Sequence, residues 1–503
     1  MSACILAHDL GTTGNKATLF SLDGALIASV TMEYPTYYPK NGWVEQNPDD
    51  WWRAVCESTR ELLEISGTKP KDVACICFSA QMMGCLIVND KGEPLHNMLI
   101  WADTRSVKQE EEIIRRAGME KIYRITGHRA SASYSAAKLM WLRDNVPDTY
   151  HKAYKLLGAK DYILYRMTGR FVTDYSDASG TNLMDLGRLD WSNEILDALE
   201  ISPGLLPELH ASTDIAGMLT DEAAGDCGLL SGTPVVIGGG DGSCACVGAG
   251  VVAQGSAYNV LGSSSWISAA SAAPVYDKDM RTFNWVHLDK SLYTPCGTMQ
   301  AAGYSYRWFR DALSGGMSYD EINALANASS AGANGTLFLP YLLGERSPRW
   351  DLNARGAFVG LSVSASLGDM ARAVMEGVAL NLKIILDILA VHSPVNNVTV
   401  IGGGAKGDLW LQILADVWQK PLQCIKHPGE ATSMGAAVCG GVGIGAFDSF
   451  KDVSRFTKAV KTIWPERKNA GLYEKLAKIF ESAYAGLRET DTLLQKFRAE
   501  EVS

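Results

Sequence analysis

Nowhere in the 503 residues does G-x-x-x-x-G-K-[ST] occur, so no P-loop cradles phosphate here. H-E-x-x-H and G-x-S-x-G are also missing, and the eight histidines form no ligand-spaced cluster. A zinc hydrolase and a nucleophile-elbow esterase are thereby disfavoured. The eleven cysteines include no C-x-x-C pair. Cys75/Cys77 and Cys244/Cys246 are spaced i, i+2, which suits one face of a strand better than a metal site. Buried, reduced thiols of a cytoplasmic enzyme are expected. Positive charge is in deficit: 46 Lys and Arg stand against 56 Asp and Glu, a formal net charge of -10. Nucleic acid is therefore not the expected main partner, although backbone N–H groups and a few lysines can still bind a small anion. Long apolar runs are lacking too. The most membrane-like window, ATSMGAAVCGGVGIGAF at 431–447, is rich in Gly and Ala and short for a span. It reads as a packed helix followed by a loop. The start, MSACILAHDLGTTG, has no basic segment and no long apolar run, so neither a signal peptide nor a membrane partner is expected.

What is present is an ordinary globular balance, 47% apolar and 20% charged residues. A single core rarely grows to this size, so two large domains or three smaller ones are expected. ILAHDL reads as a short strand ending on an acid, GTTGNK as a turn and ATLFSL as a second strand. NPDDWWRAVCESTRELLEIS reads as a helix, with Asn47 or Asp49 as N-cap and Pro48 near its first position. VACICFSA is a buried strand. In the second half, SAYNVLGSSSWISAASAAP repeats strand, small-residue turn, strand, and VTVIGG leads through a glycine turn into the helix DLWLQILADVWQ. A strand–turn–strand unit in each half hints at two domains of related α/β design, 1–245 and 246–503. The segment from KDVSRFTKAVKTIW to the end reads as a helical, charged cover.

Four glycine-rich turns are candidate sites. Asp9-Leu10-Gly11-Thr12-Thr13-Gly14-Asn15-Lys16 can offer N–H groups, hydroxyls and a lysine charge to phosphate, with Asp9 placed to hold Mg²⁺ through water. It also fits a plain hairpin with a surface lysine. Leu261-Gly262-Ser263-Ser264-Ser265 is a second turn of this kind, weaker alone. Gly402-Gly403-Gly404-Ala405-Lys406-Gly407 fits G-x-G-x-x-G, but Lys426 and His427 stand where a dinucleotide site needs an acid. A dehydrogenase is disfavoured, while a helix N-terminus close to a nucleotide still fits. In PVVIGGGDGSCACVGAG a strand delivers Asp241 to the start of a helix of small residues. A substrate can approach closely there, and the helix N-terminus favours the ionised acid, as a general base requires. The alternative is an Asp N-cap on a packed helix. Two phosphate-type turns and one acid on a strand end together suggest phosphoryl transfer in a cleft between domains.

The chain resembles the FGGY carbohydrate kinases. SYSAAKLMWLRDN, Ser133 to Asn145, fits that family's first signature, with Lys138, Trp141 and Asn145 in register. GAFVGLSVSASLGDMARAVMEG, Gly356 to Gly377, fits the second, with Gly360, Asp369 and Glu376 in register. Within the family, WVEQNPDDWW, KDYILYRMTGRFVTDYSDASGT, FLPYLLGERSP and GGGD are most similar to the xylulokinase branch. The resemblance implies two actin-like (ribonuclease H-like) ATPase domains with a cleft between them, and ATP and Mg²⁺ as cofactors. It implies transfer to a terminal hydroxyl of a small ketose, foremost D-xylulose to give D-xylulose 5-phosphate. Ribulose, a tetritol or a linear signalling ketose are alternative acceptors, and a non-catalytic ATP-binding switch is a distant one. Asp241 becomes the catalytic base and Asp9 the Mg²⁺-side acid. Thr12, Thr13, Lys16, Gly262, Ser263, Ser264, Gly303, Gly403, Gly404, Ala405 and Asp408 fall on the nucleotide side. Gln81, Met82, Met83, Trp101, Asp103 and Arg105 fall on the sugar side. Met83 stands where relatives carry His, and Gly242 where xylulokinases carry Asn; both changes remove polar groups from the sugar pocket. A homodimer is common among relatives.

Overall fold

The computed structural model describes residues 3–501. Two twisted sheets organise it. The first is built from β1 (Cys4–Leu10), β2 (Gly14–Ser21), β3 (Leu26–Glu33), β4 (Val73–Ala80), β5 (Ile215–Met218) and β6 (Pro234–Gly240), in the spatial order β5-β6-β4-β1-β2-β3. The second uses β7 (Gly255–Leu261), β8 (Ser265–Ala269), β9 (Phe283–Val286), β10 (Tyr293–Met299), β11 (Val395–Ile401), β12 (Leu422–Ile425) and β13 (Ala459–Ile463), in the order β9-β10-β8-β7-β11-β12-β13. The two agree strand for strand. In each, three antiparallel neighbours are followed by two parallel additions and an antiparallel edge. The second adds only β9. The repeat hinted at by the two strand–turn–strand units is therefore architectural.

Helices fill the layers. In chain order those used below are α1 (Pro48–Ser66), α2 (Ser135–Asn145), α3 (Asp241–Gly248), α4 (Gly303–Leu313), α5 (Leu367–His392), α6 (Asp408–Trp418), α7 (Ala431–Gly443) and α8 (Ala470–Glu501). Local chemistry sets their ends. The Asn47 side chain accepts the Asp49 N–H at 3.1 Å, Pro48 opens α1, and Gly67 closes it with φ 64°. Alternate residues of β1 enter different layers. Leu6 and Leu10 pack with Trp51, Val55 and Leu62 of α1, whereas Ile5 and Ala7 join Cys244 and Val247 of α3 and Ala436 of α7. Strands buried on both faces explain the unbroken apolar run of VACICFSA. Helix α7, from the second half of the chain, thus lies against the first sheet beside α3 and joins the two sheets through one apolar layer. A third core surrounds α5 and α6 on the second sheet.

Two sequence expectations fail here. Cys75 and Cys77 do share a strand face, but Cys244 and Cys246 lie on α3, because a strand cannot continue past the turn at Asp241. The C-terminal region is not all helical. Residues 459–463 pair with β12 as an edge strand, and that pairing, with Ile463 buried at its end, decides against a helix. Helix α8 is also more than a solvated cover, since Tyr473, Leu476 and Phe480 enter the core. Among the described residues no helix is long and apolar enough to cross a membrane.

Candidate active site

Strand β6 ends in three glycines because the protein itself crowds them. A Cβ on Gly238 would stand 1.9 Å from the Phe78 carbonyl oxygen, and one on Gly240 2.3 Å from the Met82 sulfur. The expectation that these glycines make room for substrate is corrected: Gly238 makes room for β4, Gly239 for Leu288 and Ser176, and Gly240 for the turn at 81–84. Gly242 differs. Its Cβ would meet nothing closer than 3.9 Å, and it borders a cavity.

Asp241 lines that same cavity of about 540 Å³, which both halves of the chain enclose. Its Oδ1 accepts the Gly242 N–H at 2.7 Å. Tyr258 donates its hydroxyl to the Gly242 carbonyl at 2.7 Å, and Trp266 donates to the Tyr258 hydroxyl at 2.9 Å. Burial among these groups, then the like charge of Asp9, push the Asp241 carboxyl up to about 7, against the opposing Gly242 N–H. The helix N-terminus alone favours ionisation, and burial overrides it. Asp9, the last residue but one of β1, accepts from the Ser79 hydroxyl at 3.2 Å and is pushed by burial up to about 6.

The first hairpin turn sits beside this acid. Thr12 lines the cavity and accepts the Trp101 indole N–H at 2.9 Å. Thr13 is exposed. Lys16 does not turn toward the cavity: its ammonium donates to the Gly429 carbonyl at 2.7 Å and pairs with Glu430 at 3.4 Å, just before α7. The second hairpin turn, between β7 and β8, is tied down by α4. Gly303 N–H donates to the Gly262 carbonyl at 2.9 Å, and the N–H groups of Ala302 and Tyr304 donate to the Ser263 carbonyl, each at 3.0 Å. Ser264 faces the cavity with Asp241. Ser263 belongs to that wall and also to a second cavity of about 440 Å³. Gly262, Gly303, Gly403, Gly404, Lys406, Tyr306 and Tyr319 line the second cavity. Ala405 instead packs toward the α5–α6 core. Asp408 is mostly exposed and pairs with Lys461 of β13 at 2.6 Å.

On the other side, Met82, Met83 and Trp101 border the cavity of Asp241, while Gln81, Asp103 and Arg105 do not. Gln81 is buried and donates to Gln46 at 2.7 Å. Arg105 and Asp103 are buried against each other at 2.7 Å. The guanidinium also pairs with Glu45 at 2.7 Å and lies 3.8 Å from the Trp43 ring centroid. They brace the loop that presents Trp101. Sequence reasoning missed much of the remaining wall, including Tyr134, Phe283, Trp285 and Arg346. His128 holds the Tyr134 hydroxyl at 2.9 Å from behind. Tyr134 and Arg346 lie in the quoted stretches SYSAAKLMWLRDN and FLPYLLGERSP, which was the available signal. Phe283 and Trp285 gave none.

Asp9 and Asp241 can serve a divalent cation. Among the described residues no group of three or more ligating side chains is present. A magnesium ion shared with nucleotide phosphates needs only one or two carboxylates, so the donor set fits.

Comparison with known proteins agrees over nearly the whole chain. The model for the FGGY family of carbohydrate kinases, N-terminal domain, matches residues 4–248, and that for the C-terminal domain matches 257–444. A xylulose kinase of Bacillus subtilis is 32% identical, covering 98% of this chain and 99% of its own. A gluconokinase of the same species is 30% identical over 95% of each. Among solved structures, the ligand-bound xylulose kinase from Lactobacillus acidophilus has a TM-score of 0.92 at 30% identity, covering 96% of this chain and 98% of that one. Gluconate kinase from Lactobacillus acidophilus has a TM-score of 0.93 at 29% identity, covering 98% and 100%.

Proposed function

The chain belongs to the FGGY family of carbohydrate kinases, and we propose that it phosphorylates a terminal hydroxyl of a small ketose in the cytoplasm, D-xylulose giving D-xylulose 5-phosphate. One observation carries the mechanism. The Ser263 turn is the partition between the two cavities, and Asp241 stands in the wall of the larger one. A nucleotide seated in the smaller cavity, along Gly403 and Gly404, directs its phosphates past that turn toward the acid. In this reading residues 1–245 form the acceptor side and 246–503 the nucleotide side.

When bound, Mg·ATP supplies the transferable phosphoryl group and neutralises its charge. Asp9 would hold the metal, directly or through water. Asp241 would take the proton of the acceptor hydroxyl as that oxygen bonds to the γ-phosphorus and the bond from this phosphorus to ADP breaks, ADP being the leaving group. Thr12, Ser263 and Ser264 offer hydroxyls to the transferring group, and Met82, Met83, Trp101 and Tyr134 exclude water around the acceptor. Arg346 favours a second acceptor class, a sugar acid. It faces the cavity, and among the described residues its guanidinium forms no ion pair or hydrogen bond, only an approach of 5.8 Å to the Trp350 ring centroid.

The test is ADP release with Mg·ATP and a panel of D- and L-xylulose, D- and L-ribulose, erythritol, glycerol and gluconate. A D-xylulose rate well above the others is expected. A gluconate rate above it moves the assignment to the sugar acid, and ADP release independent of every acceptor rejects the kinase reading.

A further inference from the structure

Lys138 is a buried lysine held in no contact ion pair among the described residues, although Asp103 lies near enough to attract its charge. Its side chain is fully buried on α2, and among the described residues no carboxylate pairs with it. An unpaired buried charge is costly, and an apolar residue of that volume packs more cheaply. Burial accordingly pushes its pKa down to about 7. What the ammonium does hold is two backbone carbonyls, that of Met83 at 2.9 Å and that of Ser133 at 2.6 Å. Each belongs to the acceptor wall: Met83 lines the cavity itself, and Ser133 precedes Tyr134, which also lines it.

Met83 needs holding. Its φ is +64°, a left-handed backbone that a residue with a Cβ rarely adopts unless its surroundings impose it. Ser135, one turn before Lys138 on α2, donates its hydroxyl to the Gly84 carbonyl at 2.7 Å. The first turn of α2 therefore grips two successive carbonyls of the turn Gln81–Gly84. That turn presses Met82 onto Gly240, the residue before Asp241.

We propose that Lys138 is a positioning residue for the acceptor: with Ser135 it locks the left-handed Met82–Met83 turn that shapes the sugar end of the cavity and backs Asp241. The proposal rests on reading that cavity as the acceptor site. In the full-length enzyme, Lys138→Met is expected to raise the acceptor KM about ten-fold or more, the loss of charge-assisted hydrogen bonds, with the ATP KM within about two-fold. In a Met83→Gly background, where the backbone holds a positive φ unaided, the same substitution is expected to cost several-fold less. An unchanged acceptor KM, or an equal loss in both backgrounds, overturns the proposal. If Lys138→Met does not fold, Ser135→Ala decides. It removes the neighbouring tie and is expected to raise acceptor KM about three-fold; no change overturns. Should no acceptor in the panel support turnover, the kinase reading fails and not the clamp. Methyl NMR of methionine then tests the clamp without turnover: Met82 and Met83 resonances must shift in Lys138→Met, and unmoved resonances reject it.

Discussion

A carboxylate in a wall of aromatic side chains is costly to ionise, and Asp241 shows what that means for a base. Its proton leaves only near pH 7, so the free enzyme holds a mixture of both forms at neutral pH. Below that value the group cannot accept the hydroxyl proton. The kcat/KM profile is therefore expected to rise with pH up to about 7 and level above it, and Asp9→Asn, by removing a like charge, to move that limb to lower pH. A flat profile from pH 5 to 8 contradicts the assignment. Asp241→Asn is expected to lower kcat by at least about 100-fold, measured under saturating Mg·ATP and acceptor. Stability follows the opposite sign. Because the folded pKa is raised from 3.8 to about 7, this acid's contribution to the fold is fully present below 3.8 and is lost as pH climbs from there through about 7. The Tm of the Asp241→Asn protein is thus expected to gain on the parent as pH rises. At this scale the sequence was legible for the cavity-wall positions of Asp241 and Thr12, because each sits in a local run of small residues after a strand. Asp103, Arg105 and Asp408 were less legible, because Glu45 and Trp43, which hold Arg105, and Lys461, which pairs with Asp408, lie far along the chain.

Elements carry a different prediction. The turn between β7 and β8 is placed by its contact with α4, and a Cβ on Gly303 would stand 2.5 Å from the Gly262 carbonyl oxygen. Backbone on both sides leaves little relief. Gly303→Ala is expected to displace the turn and raise the ATP KM about ten-fold, with the acceptor KM within about two-fold, in two-substrate kinetics. Equal effects on both substrates would mean that the turn serves the acceptor as well. Both hairpins were legible because alternating strands flank small residues, a pattern that needs no tertiary help. Strand β13 was not. Its lysines suggested a solvated helix, and only its pairing with β12 decides otherwise. The aromatic wall of Phe283 and Trp285 was equally silent, since one strand face looks alike whether it meets core or cavity.

For the whole molecule, the layer between the two sheets is the joint. Helices α3 and α7 meet there backbone to backbone: a Cβ on Gly435 would stand 1.9 Å from the Cys244 carbonyl oxygen. The contact is continuous with chemistry at both ends. Helix α3 begins with Asp241, and α7 begins just past Gly429, which Lys16 of the first hairpin holds. A closure of the two halves over bound substrates would run through this pair. Gly435→Ala is accordingly expected to force the helices apart, lowering the unfolding free energy by about 1–3 kcal/mol in urea denaturation and reducing kcat with it. Gly486→Ala on α8 is the contrast. Its Cβ meets nothing within 4 Å, so the change removes only a flexible residue from a helix. It is expected to stabilise by roughly 0.5–1 kcal/mol and leave kcat unchanged. A kcat loss confined to Gly435→Ala places the moving joint at the α3–α7 contact; stability loss with full kcat shows that closure does not pass through it.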